Sequence, residues 1–197
     1  RNGVSYVSEN TPGKQMVKHI ADTYYHFDTI NIIAHNAGYD LRVGLFPYLY
    51  QYKGIENGNQ LILGSANIYS NNKNAKEHLA NLKKPRKHIP VKIKCSYKMT
   101  DIPLKKFGKT FKITQGKEVM PYDLYTTKNI NLRYVDFKEC LSFVKENEKK
   151  QFLENINRWK LYDSETDKVD IIGYSREYCL IDVEVMRKGY ELFRQQI

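Results

Sequence analysis

The 197-residue chain is 41% hydrophobic and carries a formal net charge of +10. That length and apolar content suit one packed domain of ordinary size and exclude a disordered or fibrous chain. No apolar run approaches membrane-spanning length and no signal-peptide pattern opens the sequence, so a role in or at a membrane is not expected, whereas the basic balance favours an anionic partner.

In chain order, Met16, Val17, Ile20 and Ala21 recur at helical spacing and predict a helix over 14–26. Residues 29–34 read as a short buried strand. A second helix is predicted over 40–50, with Leu41, Leu45 and Leu49 on one face and Pro47 bending or shortening it. Strands are predicted over 60–70 and 91–97, separated by an Asn- and Lys-rich insertion around a short helix. Within that insertion Lys83-Lys84-Pro85-Arg86-Lys87-His88 fits a solvated loop as well as a contact to DNA. A helix over 100–111 would be capped by Thr100 or Asp101, with Pro103 tolerated in its first turn. Residues 116–125 read as irregular, 136–160 as helix in two pieces and 163–170 as a polar loop. The clearest helix covers 175–196, with Ser175 as its cap and Glu177 in its first turn. No repeat or linker interrupts the pattern, and interleaved strands and helices make the class α/β.

Three cysteines, Cys95, Cys140 and Cys179, form an odd set without a CxxC pair and read as reduced thiols of an intracellular protein. His19, His26, His78 and His88 show no metal-ligand spacing. Sixteen tyrosines offer rings that stack on bases, although most are expected in or near the core.

The chemistry concentrates in two places. The run Ile32-Ile33-Ala34 stops at His35-Asn36-Ala37-Gly38-Tyr39-Asp40, the pattern of a strand delivering polar side chains to its carboxyl end, where open α/β sheets bind ligands. On the last predicted helix, Tyr178 and Asp182 are four residues apart and share one face. Between them, Lys117 lies on an irregular loop. Two carboxylates, a Tyr and a Lys suit metal-assisted phosphodiester hydrolysis: carboxylates hold the ions, Tyr orients water and Lys neutralises growing phosphate charge. Each spacing alone is common by chance.

The order of these segments resembles the 3′–5′ proofreading exonuclease domain of family B DNA polymerases, in its protein-primed branch of viruses, linear plasmids and Polinton-type elements. His35 to Asp40 resembles the second exonuclease motif and Tyr178-Cys179-Leu180-Ile181-Asp182 the third. Ser96-Tyr97-Lys98, Leu104-Lys105-Lys106-Phe107 and Phe111-Lys112-Ile113 resemble the segment between them, which ends at the motif lysine, here Lys117. The likeness runs from about residue 14 to the C-terminus.

The resemblance implies an RNase H-like exonuclease fold and two-metal cleavage of the 3′-terminal phosphodiester with Mg2+ or Mn2+. Asp40 and Asp182 would be metal ligands, Tyr178 would position the attacking water, and Lys117 would contact the scissile phosphate. His35, Asn36 and Tyr39 would hold the 3′ end of single-stranded DNA, with Ser96 and Tyr97 adding contacts. The polymerase domain of the same full-length chain and a terminal priming protein would be partners, in an infected cell or a mitochondrion.

Two departures stand out. Cys95 occupies a position where the family often has Asp. The family's first motif, Asp-x-Glu, supplies further metal ligands, yet the acidic residues before Asn36 are Glu9, Asp22 and Asp28, none in such a motif. Residues 1–197 are therefore expected to be a partial exonuclease domain. Its first strand would lie before Arg1 and the polymerase palm after Ile197, and the isolated chain would cleave poorly. The competing readings are an RNase H-like module that binds single-stranded DNA without cutting it, and an unrelated basic α/β scaffold. His35-Asn36 would also serve as a local helix cap.

Overall fold

A computed structural model describes residues 11–58, 60–114 and 118–196. The chain is α/β and divides after Pro103 into two compact units. Nothing in the composition marks that boundary.

The first unit opens with helix α1 (Pro12–Thr23), started by Pro12 in its first turn, where a missing N–H costs nothing. Strand β1 (Ile30–Ala34) follows. The helix expected over 40–50 is broken into three pieces: α2 (Ala37–Asp40), a π-helical turn (Leu41–Leu45) and a 3-10 turn (Phe46–Tyr48). Pro47 sits in the 3-10 turn and ends the helical path. The chain then enters β2 (Tyr50–Asn57), a strand that the sequence did not signal. Almost every residue of β2 faces solvent, so no apolar alternation marks it. Next come β3 (Gln60–Ile68), α3 (Lys73–Ala80), β4 (Ile89–Cys95) and α4 (Ser96–Thr100). Asn72 caps α3 by accepting from the Asn74 and Ala75 amides.

The four strands form one mixed sheet in the order β1-β4-β3-β2. β1 and β4 run parallel, with Ile30 opposite Val91 and Ala34 opposite Cys95, whereas β3 is antiparallel to both β4 and β2. The core joins Ile32, Ile68, Ile89, Val91 and Ile93 of the sheet to Val17 and Ala21 of α1, Leu41 and Leu45 of the π turn, and Leu79 of α3. Gly13 of α1 meets the π turn backbone to backbone: a Cβ there would lie 1.7 Å from the Gly44 carbonyl oxygen.

The predicted strand over 91–97 ends two residues early. Ser96 and Tyr97 instead open α4, and Thr100 closes it, its hydroxyl donating to the Ser96 carbonyl. The helix expected over 100–111 therefore starts later, and Thr100 ends the preceding helix rather than capping this one. Asp101, in left-handed conformation, separates α4 from α5 (Leu104–Thr110), the first element of the second unit.

The second unit continues through a 3-10 turn (Tyr122–Leu124), α6 (Thr127–Leu132), β5 (Tyr134–Asp136) and α7 (Phe137–Ser142). A further 3-10 turn (Glu146–Glu148), α8 (Lys149–Trp159), β6 (Tyr162–Asp163), β7 (Lys168–Asp170) and α9 (Ile171–Arg194) complete it. Of the polar loop predicted over 163–170, residues 164–167 form the turn of the β6–β7 hairpin while the rest is strand, and β7 also pairs with β5. α9 begins four residues before Ser175, because Asp170 caps it by accepting from the Gly173 amide, and Arg133 holds the same carboxylate at 3.0 Å. Ser175 and Glu177 therefore lie inside the helix. Ile171, Tyr174, Tyr178, Val185 and Gly189 form its buried face. Gly189 lets Phe107 of α5 come close, since a Cβ there would meet the ring at 2.3 Å. Leu124, Phe152, Ile156 and Val169 pack with Ile171 and Tyr174 in the core of this unit. Among the described residues no helix is long and apolar enough to cross a membrane. None of the three cysteines forms a disulfide; Cys95 and Cys140 are buried and Cys179 is exposed.

Candidate functional site

The first group of predicted residues gathers at the carboxyl ends of β1 and β4. The register that sets Ala34 beside Cys95 brings the next residues, His35 and Ser96, together. Nδ1 of His35 lies 3.1 Å from Oγ of Ser96, and that hydroxyl donates to the Ala34 carbonyl at 3.4 Å. Ser96 is fully buried, so its hydroxyl serves the protein and orients the imidazole. The Tyr97 ring stands edge-on to His35, centroids 5.5 Å apart, and Lys98 lies over the outer ring at 5.7 Å.

Asn36 turns the chain. Its φ of 60° is left-handed, a conformation that Asn tolerates better than most side chains. It stands at the cap position of α2, but its side chain makes no capping hydrogen bond, so the cap role considered for it is not used. Instead the Asn36 carbonyl accepts from the Tyr39 amide. The sharp turn buries Ala37 and Gly38 and leaves Tyr39 about two-thirds exposed, at 66%. Asp40 ends α2 with access to solvent, yet the surrounding chain desolvates its carboxyl enough to raise its pKa above the ordinary value.

The second group lies in the second unit. Tyr178 is buried on α9, one turn before Asp182, and the two side chains are hydrogen-bonded. A phenol beside a carboxylate is the donor, so Tyr178 donates a hydrogen bond to Asp182 and keeps its proton. The Tyr122 hydroxyl lies 3.4 Å from that of Tyr178, within hydrogen-bond reach. Burial, followed by these two hydrogen bonds, pushes the Tyr178 phenol far above its usual range. Sequence reasoning missed Tyr122, which has no fixed spacing to Tyr178. Its place is set by the 3-10 turn it opens, where Leu124 is buried and its carbonyl accepts from Asn129.

Lys117, the remaining predicted residue, lies outside the described residues. Asp40 belongs to the first unit and Asp182 to the second. Among the described residues no group of three or more His, Cys, Asp or Glu is arranged to hold a metal.

Comparison with protein families finds that the model of DNA polymerase type B, organellar and viral, matches residues 22–197. That stretch contains every residue named in both groups. Comparisons with curated proteins and with solved structures give no match.

Proposed function

The chain belongs to the type B DNA polymerases of organelles and viruses, and on that premise we propose that it forms their proofreading 3′–5′ exonuclease portion, on an RNase H-like fold and in the protein-primed branch. The observation that carries this reading is the delivery of His35, Asn36, Tyr39 and Asp40 to the carboxyl ends of two parallel strands, where open α/β sheets bind their ligands.

Asp40 and Asp182 are hard oxygen donors of the kind that Mg2+ and Mn2+ prefer, and they would hold the divalent ions. Such ions, when bound, supply an activated water and stabilise the leaving oxygen. Tyr178, hydrogen-bonded to Asp182, would orient the attacking water, and Tyr122 would fix the direction of that phenol. Lys117 would neutralise charge on the scissile phosphate. His35 and Asn36 would hold the 3′-terminal nucleotide, and the exposed ring of Tyr39 offers a stacking surface. Tyr97 would contact the strand beside His35. Ser96 would act through His35, as a positioning residue. The ligand is thus the 3′ end of single-stranded DNA, and the partners are the polymerase domain of the same chain and a priming protein.

Metal dependence of binding separates this reading from a module that binds DNA without cutting it. A 3′-hydroxyl oligothymidylate should bind the chain more tightly in Mg2+ or Mn2+ than in chelator, and Asp40→Asn and Asp182→Asn should each remove the gain. Binding indifferent to metal in all three proteins would favour the non-catalytic module.

A further inference from the structure

The end of the first unit's sheet opposite the candidate site carries its own surface. β1 and β4 begin there, β3 ends there and β2 begins there, with Ile68 beside Ile89 and Tyr50 beside Asn67. At about 3.3 Å per residue, the seven residues of β4 separate this rim from His35 and Ser96 by about 20 Å.

Exposed aromatic rings line the rim. Phe27 is 51% exposed and packs on His26 with ring centroids 4.3 Å apart. Tyr69 and Tyr50, also exposed, lie 5.2 Å apart, and His88 is 6.1 Å from Tyr69. Between the two clusters runs the basic loop of residues 83–88. Arg86 fastens it, donating to the backbone carbonyls of Phe27 and Asp28, both at 3.1 Å. With Arg86 committed to that clamp, Lys83, Lys84 and Lys87 are exposed and form no ion pair among the described residues. Of the nearby acids, Asp22 is held by Lys18 and Ser70, whereas Asp28 stands almost fully exposed, 3.9 Å from Arg86.

We propose that this rim, Phe27 and Tyr69 flanking Lys83, Lys84 and Lys87, is a second single-stranded DNA contact, separate from the candidate nuclease site. Rings that every base can stack on, interleaved with unpaired ammonium groups, are what a single strand needs for sequence-tolerant binding. The loop is clamped at Arg86, so its lysines are presented from a fixed base. Four strands at about 4.8 Å spacing give the rim a width of about 14 Å, room for a short run of nucleotides. The inference stands on this surface alone and does not need the nuclease reading to hold.

The test uses the 197-residue chain and an oligothymidylate in chelator, where no cleavage competes. Replacing Lys83, Lys84 and Lys87 together with Gln should reduce the slope of log affinity against log salt by about 2, as three lost phosphate contacts on a single strand require. Phe27→Ala and Tyr69→Ala should each weaken binding about fivefold or more. Photocrosslinking with iododeoxyuridine should label peptides containing Phe27, Tyr69 or Tyr50. Unchanged slope and affinity in the lysine variant would overturn the proposal. Label confined to Tyr39 and Tyr97 would also overturn it while supporting the nuclease site, and label on the rim supports it whether or not the nuclease site is labelled.

Discussion

Ser96 Oγ lies 3.1 Å from Nδ1 of His35 and ties together the carboxyl ends of the parallel strands β1 and β4. The residue that sequence reasoning assigned to the DNA strand is buried, and its hydroxyl is spent within the protein. Ser96→Ala should therefore cost about 1 kcal/mol of stability, the usual net worth of one hydrogen bond. It should also weaken binding of a 3′ end only where His35 is present. A double-mutant cycle with His35→Ala, read by DNA-binding anisotropy, should show coupling; additive losses would mean that Ser96 does not act through His35.

Asp40 is placed by the π turn that follows it, and that turn rests on Gly13. Gly13→Ala puts a methyl group into the Gly44 carbonyl, which belongs to backbone and cannot rotate away. The expected loss is about 3 kcal/mol in chemical denaturation, at the upper end for overpacking. Gly44→Ala is the control from the other side of the same contact. A Cβ on Gly44 meets nothing within 4 Å, so that variant should be near neutral.

The second unit should have a pH-dependent stability centred on Glu118. Burial raises this carboxyl, but hydrogen bonds from Arg158 and Gln151, each 2.7 Å, outweigh burial and hold its pKa below the ordinary value. A carboxylate with a lowered folded pKa stabilises fully above its unfolded value, near 4.5, and loses that contribution as pH falls through the folded value. Thermal midpoints should therefore drop on acidification below about pH 4.5 more steeply in the wild type than in Glu118→Gln. Equal slopes would show that the pair contributes nothing.

The sequence was most legible where burial imposes a period. The β1 run, α1 and the buried face of α9 all showed it, and with them the placement of His35, Asn36, Tyr39 and Asp40 at a strand end. It was least legible where elements are exposed or short. β2 faces water along nearly its whole length, so its period carried no signal. Leu41, Leu45 and Leu49 do suggest one continuous helix, but the close approach of α1 at Gly13 and the break at Pro47 turn that stretch into π and 3-10 pieces. The start of α9 was misread because Asp170, not Ser175, caps it, and Arg133, far away in sequence, fixes that carboxylate. Tyr122 reaches Tyr178 through a tertiary contact that no local spacing encodes. The rim around Phe27 and Tyr69 depends on strand order, which only the folded sheet reveals.

The role proposed for Asp40 and Asp182 is 3′–5′ excision in a type B polymerase. The most direct measurement is removal of a mismatched 3′-terminal nucleotide, followed by gel, in the polymerase chain that carries these residues. Mg2+-dependent stepwise excision should fall at least about 100-fold in Asp40→Asn and in Asp182→Asn, with nucleotide incorporation retained, because each substitution removes a carboxylate that the ions require. Excision at the wild-type rate in both variants would rule out that role for the two carboxylates.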